Sequence, residues 1–226
     1  IKIYFHECGA PFQFDRFFFE EYMPHSFANR KREMLNVQEN LESKQIEQIG
    51  IDFFSRKTSG EGVYEESYVK GQLSNMSKKL KHKLEGCKEK GMKIITYYTS
   101  SDDEFHSTDI NSSRYPFWGS QKKAIKELGH ICNKLNYFLV IRVHPNMKSK
   151  NIVEQSRWDD FGKYALSMGY YWISQSDPES TYKLLNSSDM IISTGSSIGI
   201  EAIYLGKPST VIATCYYDEV IPSVKL

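Results

Sequence analysis

Thr194, Gly195, Ser196 and Ser197 follow the apolar run Met190 to Ile192, and Gly199 comes two positions after Ser197. Small hydroxyls and glycines at that spacing suit an anion, above all a phosphate. The first N–H groups of a helix have no intrahelical partner and carry the positive end of its dipole, and glycine admits a ligand close to the backbone. The plainer reading is that Ser196 and Ser197 only cap the helix. Glu201, one turn further on, is placed to accept from ribose hydroxyls or to complement the helix dipole as a helix-start acid. His144 and Pro145 end another apolar run, YFLVIRV over Tyr137 to Val143. An imidazole there can donate to a phosphate, most strongly when protonated, or can be a turn histidine held by Pro145. Ser100 and Ser101, after the run Lys93 to Tyr98, are candidates for contact with a phosphate or the group attached to it; a plain turn is the other reading.

These residues need a scaffold, and the sequence supplies one. After the serine turn comes a helix pattern, Ile198 to Leu205. Gly206 then stands where a left-handed C-cap sits, Pro208 stops the helix, and Ser209 to Ala213 reads as a strand. That is one βαβ unit. Upstream, strands are expected at Lys93 to Tyr98, Tyr137 to Val143, Tyr170 to Ile173 and Met190 to Ser193. Helices are expected from a Ser120 cap to Leu135, from Trp158 to Met168, and from an Asp177 cap with Pro178 at its first position to Leu185. Such alternation implies an α/β fold: a Rossmann-like, doubly wound parallel sheet. Ligands bind such sheets outside the carboxyl ends of the strands. Four of those ends are polar here: Thr99-Ser100-Ser101, His144-Pro145-Asn146, the turn before Asp177, and Thr194 to Ser197. GxGxxG and GxxxxGK[ST] are both missing, which argues against a common NAD fingerprint and a P-loop NTPase.

The N-terminal part is less regular. Ile1 to Phe5 reads as a strand, and the aromatic PFQFDRFFFEEYMPHSF as a packed loop with a short helix. Asn29 to Gly50 is helix-compatible, while Ile51 to Gly71 is rich in turn formers and charge. The lysine-rich Lys78 to Lys90, interrupted by Gly86, reads as a solvated helix face or connector and marks a boundary. The expected division is therefore 1–77, the remnant of an N-terminal region plus connector, and 78–226, the Rossmann-like domain. The chain reads as a piece of a larger protein.

Composition narrows the partners. Among 226 residues, 29 basic side chains face 28 acidic ones, a balance that argues against a nucleic-acid-coating protein. The four cysteines are scattered, with no CxxC, and read as reduced cytosolic thiols. The six histidines show no HxxH or HExxH spacing, so no metal site is expected. No apolar run approaches the ~20 residues that span a bilayer, and no signal peptide is visible.

Taken together, VIRVHPN and the later SSDMIISTGSSIGIEAIYLGKPS resemble the nucleotide-binding half of GT-B glycosyltransferases. More closely, the chain is similar to bacterial capsule and surface-polysaccharide biosynthesis proteins, among them capsular Kdo transferases and sialyltransferases. IDFFSRKTSGEG, SYVKGQ and IITYYTSSDDEF have the look of the same group, over roughly Gly50 to Tyr217. The family's HP motif falls on His144 and Pro145 and its serine pair on Ser196 and Ser197. The resemblance implies a metal-independent, cytoplasmic transferase that needs no cofactor beyond its substrate, a CMP-, CDP- or UDP-linked sugar. The glycan acceptor makes a peripheral stay at the inner face of the membrane compatible. An inverting transfer also needs a base for the acceptor hydroxyl; His6 and Glu7, after the first strand, are the candidates here. Much of an acceptor domain is missing from this sequence, which leaves that assignment open. Rival readings are a CDP-glycerol-type glycerophosphotransferase, a UDP-sugar epimerase of the same fold, and a non-catalytic sugar-nucleotide-binding subunit.

Overall fold

The computed structural model describes residues 4–7, 16–19, 27–59, 75–101 and 117–218. The chain packs as two units, 1–73 with 102–112 and 74–101 with 113–226. In the first, β1 (Tyr4–Glu7) pairs antiparallel with β2 (Arg16–Phe19), and α1 (Phe27–Asn40) and α2 (Ser43–Ser59) follow. Three expectations change here. Arg16 to Phe19 is a strand rather than loop, in keeping with the strand preference of consecutive aromatics. His6 and Glu7 lie within β1, opposite Phe17 and Arg16, not after it. α2 continues through Ile51 to Ser59, because that stretch holds no glycine or proline to stop it.

The second unit is built on five parallel strands: β3 (Ile94–Tyr98), β4 (Phe138–Arg142), β5 (Tyr171–Ile173), β6 (Met190–Ser193) and β7 (Ser209–Val211). Their order is β5-β4-β3-β6-β7, so the chain winds outward from β3 one way and then returns to build the other half. This is the expected Rossmann-like, doubly wound sheet. Every residue of β3 and β4 is buried because helices cover both faces, which explains their nearly continuous apolar runs. α4 (Gln121–Lys134) and α5 (Ile152–Ser167) cover one face, packing Ile125, Trp158 and Phe161 against Ile95, Leu139 and Ile141. α3 (Lys78–Glu89), α6 (Thr181–Ser187) and α7 (Ile198–Tyr204) cover the other, packing Leu84, Leu185 and Ala202 against Ile94, Val140 and Ile191.

The helix bounds correct several expectations. α3 passes through Gly86 unbroken. Its buried stripe Leu80, Leu84 and Cys87 offsets the cost of about 1 kcal/mol for a helical glycine, while its lysines stay exposed. α5 starts at Ile152, well before Trp158; Ile152 and Val153 face solvent, so they gave no periodic signal. α6 is capped by Ser180, not Asp177. The Asp177 carboxylate instead accepts from the Ser174 N–H at 2.6 Å and closes the preceding turn. Among the described residues, no helix is long and apolar enough to cross a membrane.

Candidate functional site

In a doubly wound sheet the crevice for a ligand opens where strand order reverses. That point lies between β3 and β6, neighbours in space although two strands, β4 and β5, separate them in sequence. Their carboxyl ends carry Thr99-Ser100-Ser101 and Thr194-Gly195-Ser196-Ser197. The fold therefore brings two of the polar turns side by side at the switch point.

A buried hydrogen-bond network ties them together. Gln121, the first residue of α4, accepts from the Ser100 N–H (2.9 Å) and donates to the Ser100 carbonyl (3.0 Å). The same Oε1 accepts from the Thr194 hydroxyl at 2.6 Å, and that hydroxyl also pairs with the Tyr97 phenol at 2.7 Å. One glutamine side chain thus fixes the β3 turn against the β6 turn. Thr99 makes the next link: its hydroxyl accepts from the His144 N–H at 2.9 Å and sets the β4 end beside β3. Thr99, Ser100, Ser101 and Thr194 are buried, while His144, Pro145, Ser196 and Ser197 are half-buried at the edge.

The serine turn has tight spatial requirements. Gly195 sits at φ +77°, and a Cβ there would stand 2.8 Å from Cys215 Cβ. A Cβ on Gly199 would meet the Tyr217 hydroxyl at 2.6 Å and Ser193 Oγ at 3.0 Å. Both glycines are required by close approach. Ser197 has helical backbone angles and makes no side-chain cap bond. The other helices of this unit use theirs: Ser77 accepts from the Leu80 N–H, Ser120 from Lys123, Asn151 from Glu154 and Ser180 from Lys183.

His144 does cap. Its Nδ1 accepts from the Asn146 N–H at 3.2 Å at the start of a short 3-10 turn, Pro145–Ser149. An acceptor at Nδ1 requires the neutral ring, with its proton on Nε2. Glu201 is buried at 3% exposure, and its Oε2 accepts from the Tyr182 phenol at 2.7 Å. The nearby Tyr98 phenol is pushed far above its usual pKa by burial, against the pull of Arg142 and with some help from Glu201. Arg142, also buried, donates to the carbonyls of Ser174 (2.8 Å), Asp177 (3.2 Å) and Glu179 (3.4 Å), holding the polar turn after β5. That turn belongs to the sheet's edge strand, away from the switch point. His6 and Glu7 belong to the first unit.

Gln121 and Tyr217 have no counterpart in the sequence reading, and Thr99 enters it only as part of a polar strand end. A glutamine at a helix start is ordinarily solvated, so nothing in its position signals a hub. Arg142 did leave a signal: a charge inside YFLVIRV must be paired where it is buried. Among the described residues, no three His, Cys, Asp or Glu side chains cluster as metal ligands do. Cys87, Cys132 and Cys215 are free and buried.

No family model and no curated protein sequence matches the chain. Among solved structures, it is similar to Thermosulfurimonas dismutans KpsC, a beta Kdo 2,7 transferase, at 16% identity and a TM-score of 0.41. The match covers 66% of this chain and 44% of that one, so the chain spans less than half the length of that structure.

Proposed function

We propose that the second unit is the nucleotide-binding half of a glycosyltransferase, which moves a sugar from a nucleotide-activated donor to a growing capsule or other surface polysaccharide. The observation that carries this reading is the turn into α7. It stands at the switch point, carries two half-buried serines beside two glycines in close backbone contact, and opens a helix. In the proposed reaction the bond between sugar and phosphate breaks and the nucleotide leaves with added negative charge. Backbone N–H groups and hydroxyls at Ser196 and Ser197 receive that charge, together with the Nε2–H of His144. Since the Nδ1 cap already places a proton on Nε2, the donation needs no imidazolium. Glu201, oriented by Tyr182, is the acceptor for ribose hydroxyls, and Ser100 and Ser101 back the phosphate side. The acceptor hydroxyl loses its proton to a base on the acceptor side, with His6 and Glu7 as candidates. The reaction uses no metal in this scheme.

The test is a transfer assay of the full-length protein with CMP-, CDP- and UDP-linked sugars in EDTA. Wild type is expected to remain active, and His144→Ala to lose about 10²-fold or more, the usual scale for one charge-stabilising donor. Glu201→Gln, which keeps an acceptor for Tyr182, is expected to raise KM more than it lowers kcat. Abolition by EDTA would remove the metal-free scheme, and full activity in both variants would remove the site.

A further inference from the structure

The loop after β7 presses on the serine turn along its whole length. Cys215 backs Gly195, and Tyr217, which is fully buried, reaches Gly199 and donates its phenol proton to the Ser196 carbonyl at 2.6 Å. The same carbonyl accepts from the Gly199 N–H at 3.0 Å, in the first turn of α7. Asp218 closes the loop by accepting from the Cys215 N–H at 3.4 Å. The peptide joining Ser196 to Ser197 is trans, so its carbonyl and its N–H point in opposite directions. Whatever holds the carbonyl inward aims the N–H outward.

We infer that Tyr217 is the positioning residue of this site: its phenol pins the Ser196 carbonyl against the β7 loop and thereby turns the Ser197 N–H toward the bound phosphate. The inference rests on the nucleotide-site reading above. Tyr217 touches no substrate and acts through one peptide plane. Two features fit it for that task. Its ring is immobilised between α7 and Tyr216, whose ring meets it edge-on at 5.1 Å. Burial also raises the phenol's pKa far above its usual value, so the hydroxyl remains a donor throughout the physiological range. A phenylalanine would fill the same space without fixing the peptide.

The experiment compares wild type with Tyr217→Phe by thermal shift and calorimetry, using CMP, CDP, UDP and GDP alongside cytidine, uridine and guanosine. Loss of one aiming hydrogen bond should weaken the nucleotides by about three- to tenfold and leave the nucleosides unchanged, since they have no phosphate to meet the Ser197 N–H. Equal nucleotide affinity in both proteins overturns the inference, and so does an equal loss for nucleotides and nucleosides, which would mark a merely structural tyrosine. A wild type that ignores all four nucleotides ends the nucleotide reading itself, and the inference with it. A second pair keeps the geometry separately testable. Gly199→Ala should be markedly destabilising with Tyr217 present and clearly less so with Tyr217→Phe, which removes the hydroxyl 2.6 Å from the new methyl. Equal penalties in both backgrounds would mean that the phenol does not sit over Gly199.

Discussion

α6 and α7 are both seven residues long, both follow a polar turn, and both have serine at the N-cap, yet they use that serine differently. Ser180 has extended backbone angles and accepts from the Lys183 N–H, as a cap serine should. Ser197 has already entered the helical region and caps nothing. The approach to each helix explains the difference. The chain reaches α6 through a turn closed by Asp177 and pinned by three carbonyl bonds to Arg142, which leaves Ser180 free to extend. It reaches α7 through Gly195 in the left-handed region, with Tyr217 gripping the next carbonyl. One turn is closed by its own aspartate and by Arg142; the other is held from behind by Tyr217. A hydroxyl at a helix start is structural by default, and only the local hydrogen bonds tell which serine caps its helix and which does not.

The sharpest way to break the comparison is to remove the device that only α7 has. Gly195→Ala adds a left-handed cost of about 1–2 kcal/mol to an overpacking cost of about 1–3 kcal/mol against Cys215. Denaturant midpoints should therefore fall by an amount equivalent to several kcal/mol. Gly206→Ala is the control: its φ is +71° but a Cβ there meets nothing within 4 Å, so only the conformational cost of about 1–2 kcal/mol applies. If the two substitutions cost the same, Cys215 is not packed behind the turn.

The two serines give the next largest contrast. Ser180→Ala should lower stability by about 1 kcal/mol, the usual value of a cap, while Ser197→Ala should leave urea unfolding within about 0.5 kcal/mol of wild type. Nucleotide binding should reverse the order. Ser197→Ala is expected to weaken it by about 0.5–2 kcal/mol, and Ser197→Asp by more, since it sets a carboxylate against the phosphate; Ser180→Ala should not change it. Ser197 variants that bind nucleotide like wild type would return Ser197 to the same class as Ser180.

The contrast also shows where sequence reading stops. Met190 to Ile192, Gly206 and Pro208 announced β6, the end of α7 and its C-cap because each rests on local chemistry, and Ser120 announced the start of α4 for the same reason. The parallel sheet was legible because burial on both faces forces apolar runs on β3 and β4. The start of α6 was misplaced by three residues, since Asp177 and Ser180 are both good caps and only the Ser174 N–H decides between them. Gln121 to Thr194 spans 73 positions and Tyr217 to Ser196 spans 21, so their pairing follows from strand order rather than from any window of sequence. The polar strand ends were readable, while the distant side chains that hydrogen-bond to them were not.

The smallest expected effect is on the alkaline side, and it too separates the two helices. Burial raises the Cys215 thiol to about 12 and the Cys132 thiol to about 11, from an ordinary 9.0. A thiol that ionises less readily when folded favours the folded state fully below its unfolded value, and that contribution declines as pH rises through the folded value. Stability should thus begin to fall above pH 9 and keep falling toward pH 11 to 12, with both thiols contributing. Cys132 lies in α4, but Cys215 stands behind Gly195, so its share of the loss should be felt at the start of α7. Hydrogen exchange at pH 7 and near pH 10 should show the amides of the α7 turn losing protection relative to those of α6, after correction for the intrinsic rate. Cys215→Ala, which cannot ionise, should flatten that difference, whereas Cys132→Ala should flatten only the global decline. Equal loss of protection at both helices in the wild type would mean that Cys215 has no special hold on the serine turn.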